Sequence, residues 1–503
     1  MVSLNYKTAK PSHIKFKMPC IKMHLPFASL LLLLSFNMIS FCLAATASSS
    51  SCHPDDEAGL LAFKVGITSD PSGFLSSWVP GSNCCRWSGV QCGSKHRVTV
   101  LSIYGQEEYN RTLGGTISPE LAKLKYLDTI LLQYLKGLTG PFPGFLFGLP
   151  MIQTIFIVDN QLSGQIPESI RKLTRVRSMS FQGNRFAGPI PSSIGELTQL
   201  TELHLGSNLL SGKIPDSIRQ LRQLKTLSLE NNTLSGTLPD LFDSFPDLET
   251  LRLSFNRFSG GIPNSISSLS PKLQFLELGH NNLRGEIPGF LGKFQALEKL
   301  DLSWNRFSGV VPTSFVNLTT IFDLILSHNQ LEDPFPEMNV ARAQSLDLSH
   351  NKFHLKEIPR FVTSSPNMFV LRLVKCGLKM NLDDWKPEEY LFYSYIDLSE
   401  NDITGSPAGL LNRTDYLRGF YASGNKLKFD LEKMRLNVVE LNELDLSRNR
   451  VFGRVPAAVA QLRKVNLSHN RLCGQLPPTN FSSGAFAGNP CLCGAPLSPC
   501  KLD

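Results

Sequence analysis

The sequence predicts an α/β solenoid of about sixteen repeats whose two ends are sealed by cysteine-rich caps. One observation is an asparagine that returns mostly every 24 or 25 residues, with shorter steps of 22 and 21 residues late in the chain and Cys376 in the single gap. A second is the alternation of leucines before each asparagine, and a third is the grouping of eight cysteines near the two ends. The asparagines are Asn160, Asn184, Asn208, Asn232, Asn256, Asn281, Asn305, Asn329, Asn351, Asn401, Asn425, Asn449 and Asn470.

Each repeat contributes one short strand to a parallel sheet. In "LEKLDLSWN" the leucines Leu300 and Leu302 alternate with Asp301, so both leucines point inward and the aspartate points outward. This period and the pattern L-x-x-L-x-L-x-x-N/C-x-L are the signature of a leucine-rich repeat. Because one coil cannot bury its leucines alone, neighbouring coils must stack into a continuous core. Two earlier registers, near Arg111 and Lys136, lack the asparagine and complete the count of sixteen.

The recurring asparagine is predicted to be structural. Its amide offers two donors and an acceptor to the backbone of adjacent coils, where a buried group without a partner costs about 1–3 kcal/mol. Cysteine is a compact substitute at this position. We therefore expect Cys376 to be a structural thiol and not a reactive one.

The first residues have the order of a secretory signal. Five lysines and no acid precede the apolar run "LPFASLLLLLSFNMISFCLAATA", which ends in small residues. We expect residues 1–45 to be a signal peptide, with an uncleaved anchor as the alternative, because the run could almost span a bilayer. No later run reaches 18 apolar residues, so the mature protein is expected outside the cell without stable membrane insertion.

A stack of coils has two apolar ends that must be shielded from water. We assign this role to residues 46–97 and 473–503, which enclose the repeats of residues 98–472. In the first cap, Asp55 and Asp56 are expected to begin a helix. Clustered cysteines in a secreted chain indicate disulfides, so both caps should be covalently closed.

At these residues the chain resembles the plant-type extracellular leucine-rich repeat family. "LxGxIP" is that family's form of the repeat, "DxEAGLLAFKxGITxDPSGxLSSW…CCxWxGVxC" is similar to its N-terminal cap, and "GNPCLCGAPLSPC" is similar to its C-terminal cap. The resemblance covers residues 52–500 and is greatest to secreted, kinase-free members, the polygalacturonase inhibitors and the DNA-damage-repair/toleration-like proteins. It implies a right-handed superhelix with a concave parallel β-sheet, and the disulfides Cys52–Cys84, Cys85–Cys92, Cys473–Cys491 and Cys493–Cys500.

Polygalacturonase inhibitors hold fungal pectin-degrading enzymes on the concave surface, so the resemblance implies a defence protein of the apoplast or cell wall. Those inhibitors carry about ten repeats, whereas this chain has sixteen. A nuclear repair role, which the second group's label suggests, conflicts with a signal peptide and paired cysteines.

No catalytic motif accompanies the repeats. The sequence lacks H-E-x-x-H, and neither Gly-Lys pair is followed by Ser or Thr as in a P-loop. The formal charge of +8 includes five leader lysines, and the remaining charge of about +3 is no nucleic-acid footprint. Side chains from separate coils seldom converge tetrahedrally, so we expect no metal or cofactor. The remaining enzyme hypothesis is a retaining glycosidase that uses Glu277 and Asp301, which adjacent coils would place about 5 Å apart.

The outward side chains of the strands predict where a partner binds. "LDLSxN" is an ordinary form of the repeat, so many of its aspartates serve the fold, whereas exposed aromatic side chains such as Trp304 are enriched at binding hot spots. Outward acids favour a partner that presents basic groups. We predict a footprint on the concave face formed by Phe255, Phe275, Glu277, His280, Asp301, Trp304, Asp323, His328, Asp347 and Asp397.

Six N-x-S/T sequons predict glycosylation in a chain that traverses the secretory pathway. The sequons at Asn231 and Asn466 are expected to border the concave surface, and the footprint should lie between them. The six are Asn110, Asn231, Asn317, Asn412, Asn466 and Asn480.

The leading functional hypothesis is a secreted recognition protein that binds a macromolecule on its concave face without catalysing a reaction. Its most concrete form is inhibition of a wall-degrading polygalacturonase, with pectin as a further candidate ligand. The alternative is an extracellular signalling component that binds a peptide or a receptor ectodomain.

Overall fold

The computed structural model describes residues 52–105, 112–340, 342–365, 367–385, 392–412 and 416–500, all within one compact unit. The signal peptide predicted for residues 1–45 and the sequon at Asn110 lie outside these residues. Within the described ranges, no helix combines the length and the apolar content that a membrane crossing requires.

Sixteen parallel strands form one continuous sheet, which confirms the predicted fold class and repeat number. Each strand pairs in register with the strand of the next coil, and the antiparallel strand Val90–Cys92 adds to the first of them. The parallel strands are Val98–Tyr104, Thr129–Gln133, Thr154–Val158, Ser178–Ser180, Glu202–His204, Thr226–Ser228, Thr250–Arg252, Phe275–Glu277, Lys299–Asp301, Asp323–Ile325, Ser345–Asp347, Val370–Arg372, Tyr395–Asp397, Gly419–Tyr421, Glu443–Asp445 and Lys464–Asn466.

A second sheet follows the ladder asparagines on the neighbouring side of the coils. It has eleven strands, ends at Glu332, and is parallel except for its first strand. A separate three-stranded sheet, Phe452–Gly453, Arg471–Gln475 and Cys491–Cys493, resumes the pattern near the C-terminus. The eleven strands are Ile67–Ser69, Gly114–Thr116, Gly137–Gly140, Gln161–Gln165, Arg185–Pro189, Leu209–Gly212, Thr233–Thr237, Arg257–Gly260, Asn282–Glu286, Arg306–Val310 and Gln330–Glu332.

Short 3-10 helices return the chain to the next strand. A typical one, Ser192–Glu196, starts after Pro191 and buries Ile194, because the fixed φ of proline suits the residue before a helical turn. Short α-helices Arg360–Ser364 and Ala408–Leu411 take this place in two later coils. The other 3-10 helices are Phe74–Ser77, Cys84–Arg86, Ser94–His96, Pro119–Lys123, Gly144–Gly148, Glu168–Lys172, Asp216–Gln220, Phe242–Ser244, Asn264–Leu269, Gly289–Lys293, Thr313–Asn317, Leu382–Asp384, Leu431–Lys433, Ala457–Gln461 and Ser483–Ala485.

The asparagine ladder joins each coil to the preceding one. Asn305 donates from Nδ2 to the carbonyl oxygen of Leu278 at 3.0 Å and accepts from the backbone N–H of Leu283 at 2.9 Å. Cys376 is fully buried in the same row, where its Sγ lies 3.5 Å from the carbonyl oxygen of Leu348. Burial raises the pKa of this thiol, as expected for a structural cysteine.

The N-terminal cap contains the helix Pro54–Gly66, which begins one residue before the expected start. Asp56 does more than begin the helix, because its fully buried carboxylate accepts two hydrogen bonds from Arg97, at 2.7 and 2.9 Å. This bidentate pair ties the cap helix to the first strand of the repeats. Disulfides join Cys52 to Cys84 and Cys85 to Cys92.

The C-terminal cap is a further partial coil held by the disulfides Cys473–Cys491 and Cys493–Cys500. Asn489, which the sequence analysis did not count, is buried and continues the ladder. It accepts from the N–H of Leu472 at 3.0 Å and donates to the carbonyl oxygen of Leu467 at 3.0 Å. The ladder therefore extends into the C-terminal cap and provides partners for these two backbone groups of the last coil.

Candidate recognition surface

The residue before each ladder position from Leu135 to Asn470 has a left-handed backbone, with φ between 51° and 69°. This conformation costs roughly 1–2 kcal/mol for a residue with a side chain, so it persists only where the surroundings impose it. Here the backbone N–H of each such residue bonds into the next coil, as from Trp304 to Ser327 at 2.9 Å. The row is Tyr134, Asp159, Gly183, Ser207, Asn231, Phe255, His280, Trp304, His328, His350, Lys375, Glu400, Gly424, Arg448 and His469.

Five consecutive members of this row are aromatic and stack on one another. Their ring centroids are 4.0, 5.3, 3.7 and 4.3 Å apart, with interplanar angles of 12° to 22°. These separations follow from the spacing of about 4.8 Å between neighbouring parallel strands. We call this feature the ring column; it consists of Phe255, His280, Trp304, His328 and His350.

The ring column is exposed to solvent along one edge. Phe255 and Trp304 are 52% and 50% exposed, although aromatic residues of this size are commonly buried. Burial between neighbouring rings lowers the pKa of His280 and of His328, and the adjacent His350 lowers the latter further. The stacking occupies most ring faces, so the column offers a partner mainly ring edges and nitrogen atoms.

Four predicted footprint residues lie in the ring column: Phe255, His280, Trp304 and His328. The predicted footprint omitted His350, which continues the stack. Phe275 lies on the neighbouring strand, 5.9 Å from the guanidinium carbon of Arg252. The structure thus brings the aromatic residues of the prediction onto one face.

The acids of the footprint already have partners within the chain. The carboxylate of Glu277 accepts from Nε of Arg252 at 2.9 Å and lies 3.3 Å from Nζ of Lys299. Asp301 accepts from the N–H and hydroxyl of Ser303, at 2.9 and 2.6 Å. These contacts compensate the outward negative charge that was expected to attract a basic partner.

Two other footprint aspartates, Asp347 and Asp397, also bind the local backbone. Asp347 and Asp397 each accept from the N–H of the serine two residues later, at 3.0 Å. Burial raises the pKa of Asp397 and, in the neighbouring row, of Asp323. The aspartate of "LDLSxN" is therefore largely a turn-forming residue.

The proposed glycosidase pair does not form an isolated acid and nucleophile. Glu277 and Asp301 are register partners on adjacent strands, as expected. However, Glu277 forms ion pairs with Arg252 and Lys299, and Asp301 accepts a hydrogen bond from the hydroxyl of Ser303. Burial raises the pKa of Asp301, but both groups lie on an open sheet, and we propose no reaction for them.

The described sequons fall on two kinds of surface. Asn317, Asn412 and Asn480 are exposed on the return segments, away from the strands. Asn231 is exposed in the left-handed row, and Asn466 lies at the end of the last parallel strand. Glycosylation at these positions stays a prediction.

Family comparisons identify the class of this chain. Residues 53–93 match the leucine rich repeat N-terminal domain, residues 198–258 and 271–331 match the leucine rich repeat, and residues 461–483 match a further Leucine Rich Repeat. Together with the ladder and the caps, these matches show that the chain contains a leucine-rich repeat N-terminal domain and leucine-rich repeats, and that it is similar to plant extracellular leucine-rich repeat proteins.

Curated relatives match over part of the chain only. A DNA damage-repair/toleration protein of Arabidopsis thaliana is 31% identical over 147 residues, covering 27% of this chain and 38% of that protein. Polygalacturonase inhibitor 1 of Arabidopsis thaliana is 34% identical over 116 residues, covering 22% of this chain and 32% of the inhibitor. Phytosulfokine receptor 1 of Arabidopsis thaliana is 29% identical over 144 residues, covering 29% of this chain and 14% of the receptor.

Solved structures match over most of the chain. The structure titled PEPR1-AtPEP1 has a TM-score of 0.58 and 25% identity, covering 86% of this chain and 67% of that one. The ectodomain of the Arabidopsis receptor kinase HAESA, solved with an extended IDA peptide hormone, has a TM-score of 0.57 and 24% identity, covering 89% and 99%. At 24% identity, the similarity to the HAESA ectodomain shows a shared fold and nothing more.

Proposed function

We propose that this chain is a secreted recognition protein that holds an extracellular polypeptide on its concave face. The observation that carries the proposal is the ring column, five stacked aromatic side chains kept at costly backbone positions, of which Phe255 and Trp304 are half exposed to solvent. Backbone strain combined with exposed aromatic surface is typical of binding sites. A sheet of sixteen strands spans on the order of 75 Å, which suits a macromolecule and not a small substrate.

The partner class that we put first is a wall-degrading polygalacturonase. Support comes from polygalacturonase inhibitors of Arabidopsis thaliana and Vitis vinifera, which are 33–36% identical to this chain over 115–119 residues. In this form the ring column contacts the enzyme directly, and the protein acts in the apoplast or cell wall. Pectin is the further ligand that we include in this form of the proposal.

The second candidate is a signalling component that binds a peptide or a receptor ectodomain. Support comes from the similarity to phytosulfokine receptor 1 and from the structure titled PEPR1-AtPEP1, whose fold covers 86% of this chain. Binding of a peptide would use the same concave face.

Capture from extracellular fluid distinguishes the two forms. The full chain, recovered from the medium of expressing cells, is immobilised and exposed to fluid with and without added fungal pectinases. Retention of a polygalacturonase together with reduced release of sugar from pectin supports the inhibitor. Retention of a receptor ectodomain or a peptide supports the signalling form.

The Trp304→Ala variant tests the concave face itself. Loss of a hot-spot tryptophan should weaken binding of the captured partner by about 1–2 kcal/mol or more, which is roughly tenfold. Val310→Ala is the matched control, because Val310 is 46% exposed on the second sheet of the same coil. Equal binding by both variants would place the partner elsewhere on the molecule.

A further inference from the structure

A groove lies beside the concave sheet, on the side where the chain enters each strand. It has a volume of about 450 Å³ and crosses successive coils. Its walls come from residues that directly precede the concave strands and from the segments that lead into them. We call this feature the flank groove. The lining residues that matter below are Gln274, Glu298, Phe322, Arg342, Gln344 and Asn367.

The register of the coils brings these side chains together. Gln274, Glu298, Phe322 and Gln344 each occupy the position immediately before a concave strand, in four successive coils. The backbone N–H of Phe322 donates to the carbonyl oxygen of Glu298 at 2.8 Å, and Gln344 bonds to Phe322 in the same way. Phe369 continues the row, because its N–H donates to the carbonyl oxygen of Gln344 at 2.8 Å. The row therefore crosses the coils at the strand spacing of about 4.8 Å.

Five polar side chains of the flank groove make no hydrogen bond or ion pair with any other residue that the structure describes. They are the amides of Gln274, Gln344 and Asn367, the carboxylate of Glu298 and the guanidinium of Arg342. In the coil before the groove the equivalent residue is Glu249, whose carboxylate lies 3.7 Å from Nζ of Lys225. The groove thus collects donors and acceptors that the fold itself does not use.

The aromatic ring of Phe322 is the apolar component of the flank groove. The residue is partly exposed, and among the described residues no other ring and no cation stacks on it. The ring column is different, because its members cover one another's faces. A pyranose sugar has an apolar C–H face that packs on an aromatic ring, and its hydroxyls both donate and accept hydrogen bonds. One ring among planar polar side chains is the composition that such a sugar requires.

A polypeptide or an acidic polysaccharide suits the flank groove less well. An extended peptide binds by adding to an open strand edge, with pockets for its alternate side chains. The backbone N–H groups of Glu298, Phe322 and Gln344 already bond to the preceding coil, so these residues present no open edge. The charges of Glu298 and Arg342 balance, so the lining lacks the excess positive charge that would attract a polyanion.

We propose that the flank groove binds an extended, uncharged saccharide chain with β-1,4 linkages. Phe322 and Phe369 precede strands that are two coils apart, so their backbone positions are separated by about 10 Å. In a β-1,4-linked chain the same sugar face returns at every second residue, at a distance close to two strand spacings. Phe369 is 39% exposed, so such a chain reaches from one ring across Gln344 to the other. This site is independent of the polypeptide proposed for the concave face.

Isothermal titration calorimetry tests the class of ligand. The full chain is first treated to remove N-glycans, because the sequon at Asn317 lies three residues before Thr320, which also lines the groove. It is then titrated with cellohexaose, with maltohexaose, whose α linkages coil the chain, and with hexagalacturonate, which carries a carboxylate on each sugar. We expect cellohexaose to bind and the other two to bind at least about tenfold more weakly. No binding of cellohexaose, or equal affinity for either of the others, overturns the proposal.

Two variants test the lining of the flank groove. Phe322→Ala should weaken cellohexaose binding by about tenfold, as expected for an aromatic contact that dominates a site. Gln344→Ala removes an exposed amide without disturbing the core and should also weaken binding. Gln330→Ala is the control, because Gln330 is an exposed glutamine on the second sheet. Unchanged affinity in both groove variants would contradict the proposal.

The direction of the saccharide chain has its own matched pair of variants. Phe369→Ala should weaken binding of cellohexaose, whereas Phe452→Ala, which removes a ring of 40% exposure on the three-stranded sheet, should not. Equal binding by both would contradict a chain that follows the coils. If Phe322→Ala weakened only the polypeptide captured on the concave face and left cellohexaose binding unchanged, the groove would belong to that polypeptide and the saccharide proposal would be wrong.

Discussion

The coils up to Glu332 and the coils from Asp333 to Val451 share one concave sheet but differ on the neighbouring side. In the first region the second sheet is continuous, with one strand in each coil. In the second region it is reduced to isolated bridges, such as the one between Asn381 and Thr404, until Phe452. The concave strands pass through both regions in unbroken register.

The difference correlates with one backbone position in the repeat. Four residues after the ladder asparagine, the regular coils have a glycine with positive φ, as at Gly309 with 77°. The equivalent positions in four later coils hold side chains that disfavour this conformation, and none of them adopts it. They are Asp333, Leu355, Met380 and Phe429. Loss of this glycine accompanies loss of the second sheet in these coils, but Gly405 has φ 82° in a coil that keeps only an isolated bridge, so glycine in one coil alone does not form the sheet.

The largest expected loss of stability comes from truncating a core leucine, and this substitution tests whether the concave sheet is equally well packed in both regions. Leu300→Ala in the regular coils and Leu371→Ala in the irregular coils each remove a fully buried strand leucine. Each should lower the free energy of unfolding by about 2–5 kcal/mol in denaturant titrations. A much smaller cost for Leu371→Ala would show that the irregular coils are loosely packed.

The next effect concerns the ladder. Asn305→Ala leaves buried backbone groups of two coils without partners and should cost about 1–3 kcal/mol. Cys376→Ala removes only weak sulfur contacts and should cost less than about 1 kcal/mol. Denaturant titrations of both variants measure the difference. Equal losses would contradict the view that cysteine is the weaker occupant.

A glycine substitution tests whether the two sheets unfold independently. Gly309→Ala forces a side chain into the left-handed region and should cost about 1–2 kcal/mol. Hydrogen exchange should increase in the second sheet near this coil, while the concave strand Asp323–Ile325 keeps its protection. Gly409→Ala is the control, since no atom lies within 4 Å of its added Cβ and its φ is ordinary. Loss of protection in both sheets would show that they unfold together.

The smallest expected effect is a change in the pH dependence of stability caused by the histidines of the ring column. This column has members on both sides of Glu332, where the two regions meet. The folded pKa values of His280 and His328 lie below the unfolded value of about 6.5, so the unfolded chain binds more protons as the pH falls. Stability should therefore decrease from about pH 8 to about pH 5. The double variant His280→Gln, His328→Gln should show a shallower dependence in thermal unfolding, and an unchanged slope would contradict this.

The sequence alone was sufficient for the class of fold, the number of repeats and the disulfide-closed ends. Periodicity reports directly on stacking, because each coil must repeat the same inward leucines and the same ladder residue. It also identified Trp304 as a candidate contact, since an aromatic side chain beside an outward strand has no core to fill. Asn489 was missed because its coil is shorter and lacks the strand leucine pattern.

Only the tertiary structure decided the chemistry of the surface. Rings that are 24 or so residues apart in sequence become a stacked column through the registration of neighbouring coils. The same registration pairs Glu277 with two cations while it leaves an oxygen of Glu230 unpaired. Composition counts both residues as outward acids. Whether a charge is compensated depends on the side chains of the two adjacent coils, and spacing along the chain does not report their geometry.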